Sequence, residues 1–314
     1  MSTNQKMGAT EWVLLVVLAV VWGGAFLFYK LLDEAGVPPF TIVLGRVGVA
    51  ALALIPVVLL LRRPLPRKPV VWGAFLVLGL LNNVVPFSLI ILGEKQIDSG
   101  LASIFNATTP IFTALIAHAF TRAEKLTPGK IAGVVLGLIG VVLLMGPSAL
   151  HGINPTSTAQ LACVGAAVVY GVAVVFARRF RAWGVDPLVI ATGQLVGSTL
   201  IALPLVLLVE HPWPFPHLAA TAWWAWIGLA LPSTAFAFVL YFRILATAGA
   251  TNAASVTFLV PVGAILLGWL VLGEHLSPTT FAGMAVIFAG LLLLDGRLLS
   301  ALTARAARPS TSSG

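Results

Sequence analysis

The sequence predicts an all-α integral membrane protein with ten transmembrane helices, arranged as two inverted repeats of five helices each. Three observations support this prediction: the composition, the long continuous apolar runs, and motifs that recur in the two halves of the chain. Of the 314 residues, 59% are hydrophobic and only 9% are charged, and the mean hydropathy is +1.04. A soluble domain is about 25% charged. Such sparse charge cannot cover a soluble surface, so the composition excludes a water-soluble enzyme.

Ten apolar segments are long enough to form membrane helices, which need about 20 residues each. Their continuous apolar runs favour helices over barrel strands, in which apolar residues alternate. The predicted helices are Glu11–Leu32, Pro38–Leu61, Val70–Leu92, Ile97–Phe120, Pro128–Met145, Thr158–Phe180, Pro187–Val209, Ala219–Ala246, Thr251–Leu272 and Pro278–Leu299.

Short polar or proline-rich breaks set the ends of these helices. The first segment runs into Lys30 without a small-residue cleavage site, so we expect a retained helix rather than a signal peptide. The later breaks fall at Pro38-Pro39, at 62–69, at 147–155, at 212–216 and at Ser277-Pro278. We expect a first repeat at 1–146, a second at 147–300 and a disordered cytoplasmic tail at 301–314.

The 18 Lys and Arg residues outnumber the 10 Asp and Glu residues, for a formal net charge of +8. If the N-terminus is inside, all basic residues except Lys30, Arg46 and Lys95 lie near the cytoplasmic face. This bias predicts cytoplasmic termini and a bacterial inner-membrane location. Nucleic-acid binding is the alternative reading of the basic clusters, and it is disfavoured because they alternate with membrane segments and lack a recognition motif.

The two halves of the chain share an ordered series of motifs. Val21-Trp22-Gly23 recurs as Val169-Tyr170-Gly171 at an offset of 148 residues, and Ala102 with Pro110 recurs as Ala253 with Pro261 at an offset of 151. Because each repeat holds an odd number of helices, the second enters the membrane from the opposite side. Inverted repeats suit alternating access in a transporter, although some channels also contain them.

The repeated motifs resemble a known family. The stretch from Gly100 to Pro110, followed by Glu124-Lys-Leu-Thr-Pro128, is similar to the EamA-type repeat of the drug/metabolite transporter (DMT) superfamily. The second copy carries the matching stretch 252–261, and 21–26 resembles the first helix of that family. The resemblance implies ten helices and the export or exchange of small metabolites. Within the superfamily, the chain is most similar to bacterial aromatic amino acid exporters.

Arg46 is the clearest candidate for substrate binding, because a charge inside a membrane helix needs a partner or water. It lies eight residues after Pro38 and would attract a substrate carboxylate from a central cavity. The alternative is that it caps helix-end carbonyls or pairs with an acidic group near the outer loops. Its counterpart in the second repeat is the uncharged Gln194.

The other candidate binding residues are polar or aromatic side chains within predicted helices. Each has an alternative role in packing or hydrogen bonding between helices. They are Trp22, Asn82, Asn106, Tyr170, Ser233 and Thr257. Prolines and glycines at repeated positions are hinge candidates, namely Pro110, Pro261, Gly23 and Gly171.

These features predict a transporter that exports small metabolites, most of all aromatic or neutral amino acids, by alternating access. Its expected partners are the substrate and membrane lipid, without nucleic acid, and the protein is expected to act as a monomer. The sequence has no P-loop and no spacing typical of a metal site, so neither a cofactor nor a metal is expected. The alternatives are exchange of another metabolite or a drug-like cation, a channel, or a membrane enzyme.

Overall fold

The computed structural model describes residues 7–97, 99–121, 125–146, 150, 153–154, 157–210, 218–272 and 278–295. In this part of the chain, all regular structure is helical, and ten helical segments lie at the predicted positions. They are α1 (Ala9–Glu34), α2 (Pro39–Leu60), α3 (Pro69–Glu94), α4 (Ser99–Asn106 and Thr109–Phe120), α5 (Pro128–Met145), α6 (Thr158–Ala182), α7 (Pro187–Glu210), α8 (Ala220–Ala248), α9 (Ala250–Ala254 and Val256–Leu272) and α10 (Pro278–Asp295). The predicted tail at 301–314 lies outside the described residues.

The lengths and composition of these helices are those of membrane spans. Seven of the described helices are long and apolar enough to cross a membrane, and α4, α5 and α10 contribute shorter apolar helices. Helices α5 and α10 have 18 residues each, which corresponds to about 27 Å of helix. Large apolar side chains, among them Leu60 and Leu208, are exposed on the outer faces. The chain is therefore an all-α, multi-pass membrane protein.

Helices α4 and α9 differ from the prediction because each is broken. Helix α4 stops at Asn106 and resumes at Thr109, while α9 is interrupted at Ser255, six residues before Pro261. Proline lacks the N–H that would bond to the carbonyl four residues earlier. For Pro110 that carbonyl belongs to Asn106, and it accepts a hydrogen bond from the Thr109 hydroxyl instead, at 2.7 Å.

Short π-helical segments interrupt α3 and α8 at equivalent places in the two repeats. They cover Leu80–Val84 in α3 and Leu231–Phe236 in α8. A π segment inserts one extra residue into a helical turn and is frequent at functional sites. Each segment contains the polar pair that the sequence places there, Asn82-Asn83 or Ser233-Thr234.

The helix contacts follow the repeat. Helix α1 packs on α9 and α8, and its counterpart α6 packs on α4 and α3. Three further contacts join counterparts directly: α2 with α7, α4 with α9, and α5 with α10. Exchanging the two repeats leaves this set of contacts unchanged, so the packing has the symmetry that the sequence repeat predicts.

The ends of α2 and α7 show that these counterparts run antiparallel. The Glu210 carboxylate, at the end of α7, accepts hydrogen bonds from the backbone N–H groups of Phe40 and Thr41 at the start of α2, at 2.6 and 2.7 Å. At the opposite end, Nη1 of Arg63, just after the end of α2, forms an ion pair with Oδ2 of Asp186, at 3.3 Å. Asp186 caps the start of α7, where its side chain accepts a hydrogen bond from the Leu188 N–H. Antiparallel counterparts are what an inverted repeat requires.

Glycines allow close crossings between the two repeats. A methyl group placed on Gly133 of α5 would lie 2.7 Å from the Gly290 carbonyl oxygen of α10, and one placed on Gly290 would lie as close to the Gly133 carbonyl. The hinge candidates Gly23 and Gly171 occupy similar crossings, α1 on α9 and α6 on α4. Both lie inside unbroken helices, so their role as hinges stays a prediction.

Candidate functional site

A central cavity lies among seven of the ten helices. It has an empty volume of about 810 Å³, and the residues that line it come from α1, α2, α3, α4, α6, α8 and α9. This volume counts all the space between the lining atoms, including the part that is open to solvent. Both repeats contribute to the walls, so the cavity lies on their interface.

Aromatic rings form much of the cavity wall. Six of the lining residues are aromatic: Trp22, Tyr29, Phe87, Tyr170, Phe238 and Tyr241. The Trp22 ring packs edge-on against Phe238 at 6.1 Å between centroids, and its counterpart Tyr170 packs against Phe87 at 6.5 Å. Trp22 and Tyr170 therefore pack against neighbouring helices and also face the cavity, and their role in binding substrate stays a prediction.

Arg46 is the only charged residue among those that line the cavity. It is 4% exposed, and its guanidinium lies 4.0 Å from the centre of the Phe87 ring. Across the described residues, no carboxylate lies within ion-pair distance of it. The cavity thus holds a positive charge without a direct ion pair in an apolar, aromatic setting, where electrostatic attraction is stronger than in water.

Three hydrogen bonds fix the Arg46 guanidinium. Its Nε donates to the Thr234 hydroxyl at 2.6 Å, and Nη2 donates to the Ser233 carbonyl at 3.2 Å. Nη1 donates to the Tyr29 hydroxyl. Arg46 therefore bonds to a carbonyl inside α8, within the π segment, rather than at a helix end, and it also faces the cavity.

Asn82 and Gln194 form the equivalent contact in the other half of the molecule. The Asn82 amide donates to the Gln194 side-chain oxygen at 2.9 Å, which joins α3 to α7. Asn82 lines the cavity, whereas Gln194 is fully buried behind it. Ser233 is likewise set back from the cavity, and its hydroxyl donates to the Val21 carbonyl at 3.1 Å.

The remaining polar candidates lie where α4 and α9 are broken. Asn106 and Thr257 both line the cavity. The Thr257 hydroxyl bonds to the Ala254 carbonyl at 2.9 Å, while the Asn106 side-chain oxygen is buried without a partner. Pro110 and Pro261 follow these residues within one helical turn, next to the cavity wall, and their role as hinges stays a prediction.

Six of the eight candidate binding residues line the cavity, and the sequence reasoning missed two tyrosines. The chain has three tyrosines, and Tyr29 and Tyr241 join Tyr170 in the cavity wall. Tyr29 lies seven residues after Trp22, which places both on one face of α1. A phenol on the same helical face as a candidate residue, inside a membrane helix, is the signal that could have identified it.

The described residues offer little that could bind a metal. They contain no group of three or more His, Cys, Asp or Glu side chains close enough to hold an ion. The cavity instead combines a fixed cation, aromatic walls and a few hydrogen-bonding groups. This arrangement suits a small organic anion or zwitterion with an apolar side chain.

A multi-pass fold built from two inverted repeats around a polar and aromatic cavity is the architecture of many membrane transporters. The family model described as the EamA-like transporter family matches the chain twice, at residues 10–146 and 157–294. The chain belongs to this family, as its sequence motifs predict.

Individual relatives agree with this assignment. A protein of Streptantibioticus cattleyicolor named as a probable terminal-alkyne amino-acid exporter is 30% identical over 297 residues, covering 94% of this chain and 96% of that protein. The transporter YoaV of Bacillus subtilis is 25% identical and covers 89% of this chain and 94% of its own length. YedA, named as an inner membrane transporter of Escherichia coli, is 27% identical, and the match covers 91% of this chain and 90% of YedA. These names describe transporters rather than enzymes.

The fold also matches a solved crystal structure. The two superpose with a TM-score of 0.76 at 21% sequence identity, and the match covers 91% of this chain and 98% of the other. At this level of identity the likeness supports the fold alone.

Proposed function

We propose that this transporter exports small carboxylate-bearing metabolites, most of all aromatic or neutral amino acids, across the bacterial inner membrane. The observation that carries the proposal is Arg46, a buried guanidinium in the wall of an aromatic cavity that has no ion-pair partner among the described residues. A guanidinium binds a carboxylate well, through short charge-assisted hydrogen bonds. The exporter name of the Streptantibioticus relative supports the choice of an amino acid as substrate.

The aromatic walls support an aromatic or apolar substrate side chain. Trp22, Tyr170 and the rings beside them would stack on such a group. The single positive charge disfavours the alternative of a drug-like cation, because like charges repel strongly where water is excluded. Another carboxylate-bearing metabolite remains the second candidate, and a substrate panel distinguishes it from an amino acid.

Alternating access is the proposed mechanism. The two repeats would exchange conformations so that the cavity opens first to one side of the membrane and then to the other. The basic residues favour a cytoplasmic location for both termini. In this orientation Arg63 and Asp186 lie at the cytoplasmic end and Glu210 at the outer end. The protein would work as a monomer, in contact with membrane lipid and built from the repeats at 1–146 and 147–300.

Purified protein in liposomes tests this function. A panel of labelled amino acids should show uptake that saturates and that is accelerated by unlabelled substrate on the other side, as a carrier requires. Uptake that neither saturates nor shows this exchange would indicate a channel. Absence of transport for every amino acid in the panel would refute the substrate class.

Arg46→Ala is the variant that tests the site. We expect it to abolish measurable transport of carboxylate-bearing substrates, while Arg46→Lys retains a small fraction because it keeps the charge but not the planar fork. The matched control is Arg243→Ala, which removes an exposed arginine at the far end of α8. If Arg46→Ala transports as well as Arg243→Ala, Arg46 is not part of the site.

A further inference from the structure

Tyr29 has an unused hydrogen-bond donor next to Arg46. A tyrosine hydroxyl has one proton to donate and lone pairs to accept with. The Tyr29 hydroxyl accepts from Nη1 of Arg46, and among the described residues its own proton is donated to no protein acceptor. Tyr29 also lines the cavity. A phenol that accepts from a guanidinium is polarised, which makes it a stronger donor to a third group.

We propose that Tyr29 is a specificity-determining residue, which donates its hydroxyl proton to the same substrate carboxylate that Arg46 attracts. This inference rests on the proposed function, and it names a residue that the charge of Arg46 alone does not identify. The carboxylate would be held by two adjacent side chains from α1 and α2. A substrate without a carboxylate would leave both donors unpaired, which opposes its binding.

The donors left on Arg46 fit this arrangement. A guanidinium has five N–H groups, and the hydrogen bonds to Thr234, Tyr29 and Ser233 use one on each of its three nitrogens. Each terminal nitrogen therefore keeps one N–H for a ligand. A carboxylate has about four lone-pair sites, so it can accept from the terminal nitrogens and from the Tyr29 hydroxyl at once.

The surroundings hold both donors in place before a substrate arrives. Thr234 fixes Nε of Arg46 from α8, and the Phe87 ring lies against the guanidinium from α3. The Tyr29 ring itself lies 5.4 Å from the guanidinium carbon. Little side-chain entropy would be lost on binding, and such preorganisation raises affinity.

Tyr170 and Tyr241 provide the internal comparison. Both line the same cavity and carry the same hydroxyl group, but within the described residues Arg46 donates a hydrogen bond to neither of them. Of the three tyrosines, only Tyr29 accepts a hydrogen bond from the guanidinium in the described part of the chain. The effect on substrate affinity of removing the Tyr29 hydroxyl should therefore depend on Arg46. The effect of removing the Tyr241 hydroxyl should not.

A double-mutant cycle with labelled L-phenylalanine tests the proposal. Binding is measured on purified full-length protein for the wild type, Tyr29→Phe, Arg46→Lys and the double variant. Tyr29→Phe keeps the ring and removes only the hydroxyl, and we expect it to raise the Kd about tenfold, the effect of losing a hydrogen bond to a charged group. In the Arg46→Lys background, the same change should raise the Kd less than about twofold, because the guanidinium that aligns the hydroxyl is gone.

Tyr241→Phe in the same cycle is the matched control, and its effect should be equal in both backgrounds. An unchanged Kd in Tyr29→Phe, or an effect of Tyr29→Phe that is also independent of Arg46, overturns the inference and leaves the proposed function intact. A wild-type protein that binds neither phenylalanine nor any other amino acid overturns both. Thermal unfolding of each variant is followed in parallel, so that a Kd is compared only between folded proteins.

Discussion

The two halves of the molecule contain the same interhelical contact in two chemical forms. In one, Arg46 of α2 bonds to the Ser233-Thr234 pair of the α8 π segment. In the other, its counterpart Gln194 of α7 bonds to Asn82 of the α3 π segment. The charged form faces the cavity, whereas the neutral form has Gln194 fully buried.

This difference shows how a symmetric scaffold can produce an asymmetric site. The repeat fixes where a polar side chain crosses from one helix to a π segment, and the residue type then decides what the contact can do. A guanidinium has donors to spare beyond those that hold the helices together. The glutamine takes part through its side-chain oxygen, and its NH2 group is buried without a partner among the described residues, so this contact serves mainly to join α3 to α7.

The largest expected effect comes from placing the charge in the wrong half. Gln194→Arg would bury a cation at a position that is 0% exposed, without a carboxylate to receive it. We expect a loss of about 3–5 kcal/mol in the free energy of unfolding, as for other uncompensated buried charges. Unfolding in mixed detergent with increasing SDS measures this loss.

Gln194→Met is the control for that substitution. It removes the hydrogen bond to Asn82 without adding charge, and we expect a loss of about 1 kcal/mol. If Gln194→Arg is no less stable than Gln194→Met, the contact is open to water and the contrast between the halves is wrong.

The reverse substitution tests the function of the charged half. Arg46→Gln gives both halves the same side chain, and we expect kcat/KM for amino acid transport to fall about 100-fold, or about 2.7 kcal/mol. Liposome uptake measures this change, with Arg243→Gln as the matched control at an exposed site. Wild-type kinetics in Arg46→Gln would mean that the asymmetry is unrelated to transport.

Removing the partner of the neutral contact should have a smaller effect. Asn82→Ala leaves the Gln194 oxygen buried without a donor, which costs about 1–3 kcal/mol of stability. The same unfolding assay detects it, and the double variant Asn82→Ala with Gln194→Met should recover part of the loss. Additive losses in the double variant would argue against a direct contact between these side chains.

The smallest expected effects concern the two ends of the α2 and α7 pair. Glu210→Ala removes hydrogen bonds to two N–H groups at the start of α2, and we expect a loss of about 1–2 kcal/mol, as for other helix caps. Arg63→Ala breaks an ion pair whose side chains are 48% and 24% exposed, and we expect a loss below about 0.5 kcal/mol. Equal losses in the unfolding assay would show that the two ends are held with similar strength.

Periodicity and composition were enough to predict the ten helices and their repeat. The apolar runs are long and the breaks contain proline or charge, so all ten helical segments appear where they are predicted. The interruptions in α4 and α9 could not be located in the same way, because a proline marks only the region of a break. Neighbouring helices decide whether the chain turns at Thr108, close to Pro110, or at Ser255, well before Pro261.

The candidate site was predicted in part. A charge or an amide inside a membrane helix is visible in the sequence, so Arg46 and Asn82 could be identified. Whether such a residue faces the cavity or a neighbouring helix depends on rotation about the helix axis. This rotation places Gln194 behind the wall and Tyr29 in it. The π segments change that rotation by about one residue, 100° around the helix, which a count based on a regular helix does not include.

The π segments occupy matching places in the two copies of the repeat. The polar pairs Asn82-Asn83 and Ser233-Thr234 are 151 residues apart, and so are Phe87 and Phe238 after them. The two copies therefore keep the same spacing across the π turn. The polar crossing point is a shared property of the repeat, and the arginine is the residue that distinguishes its two halves.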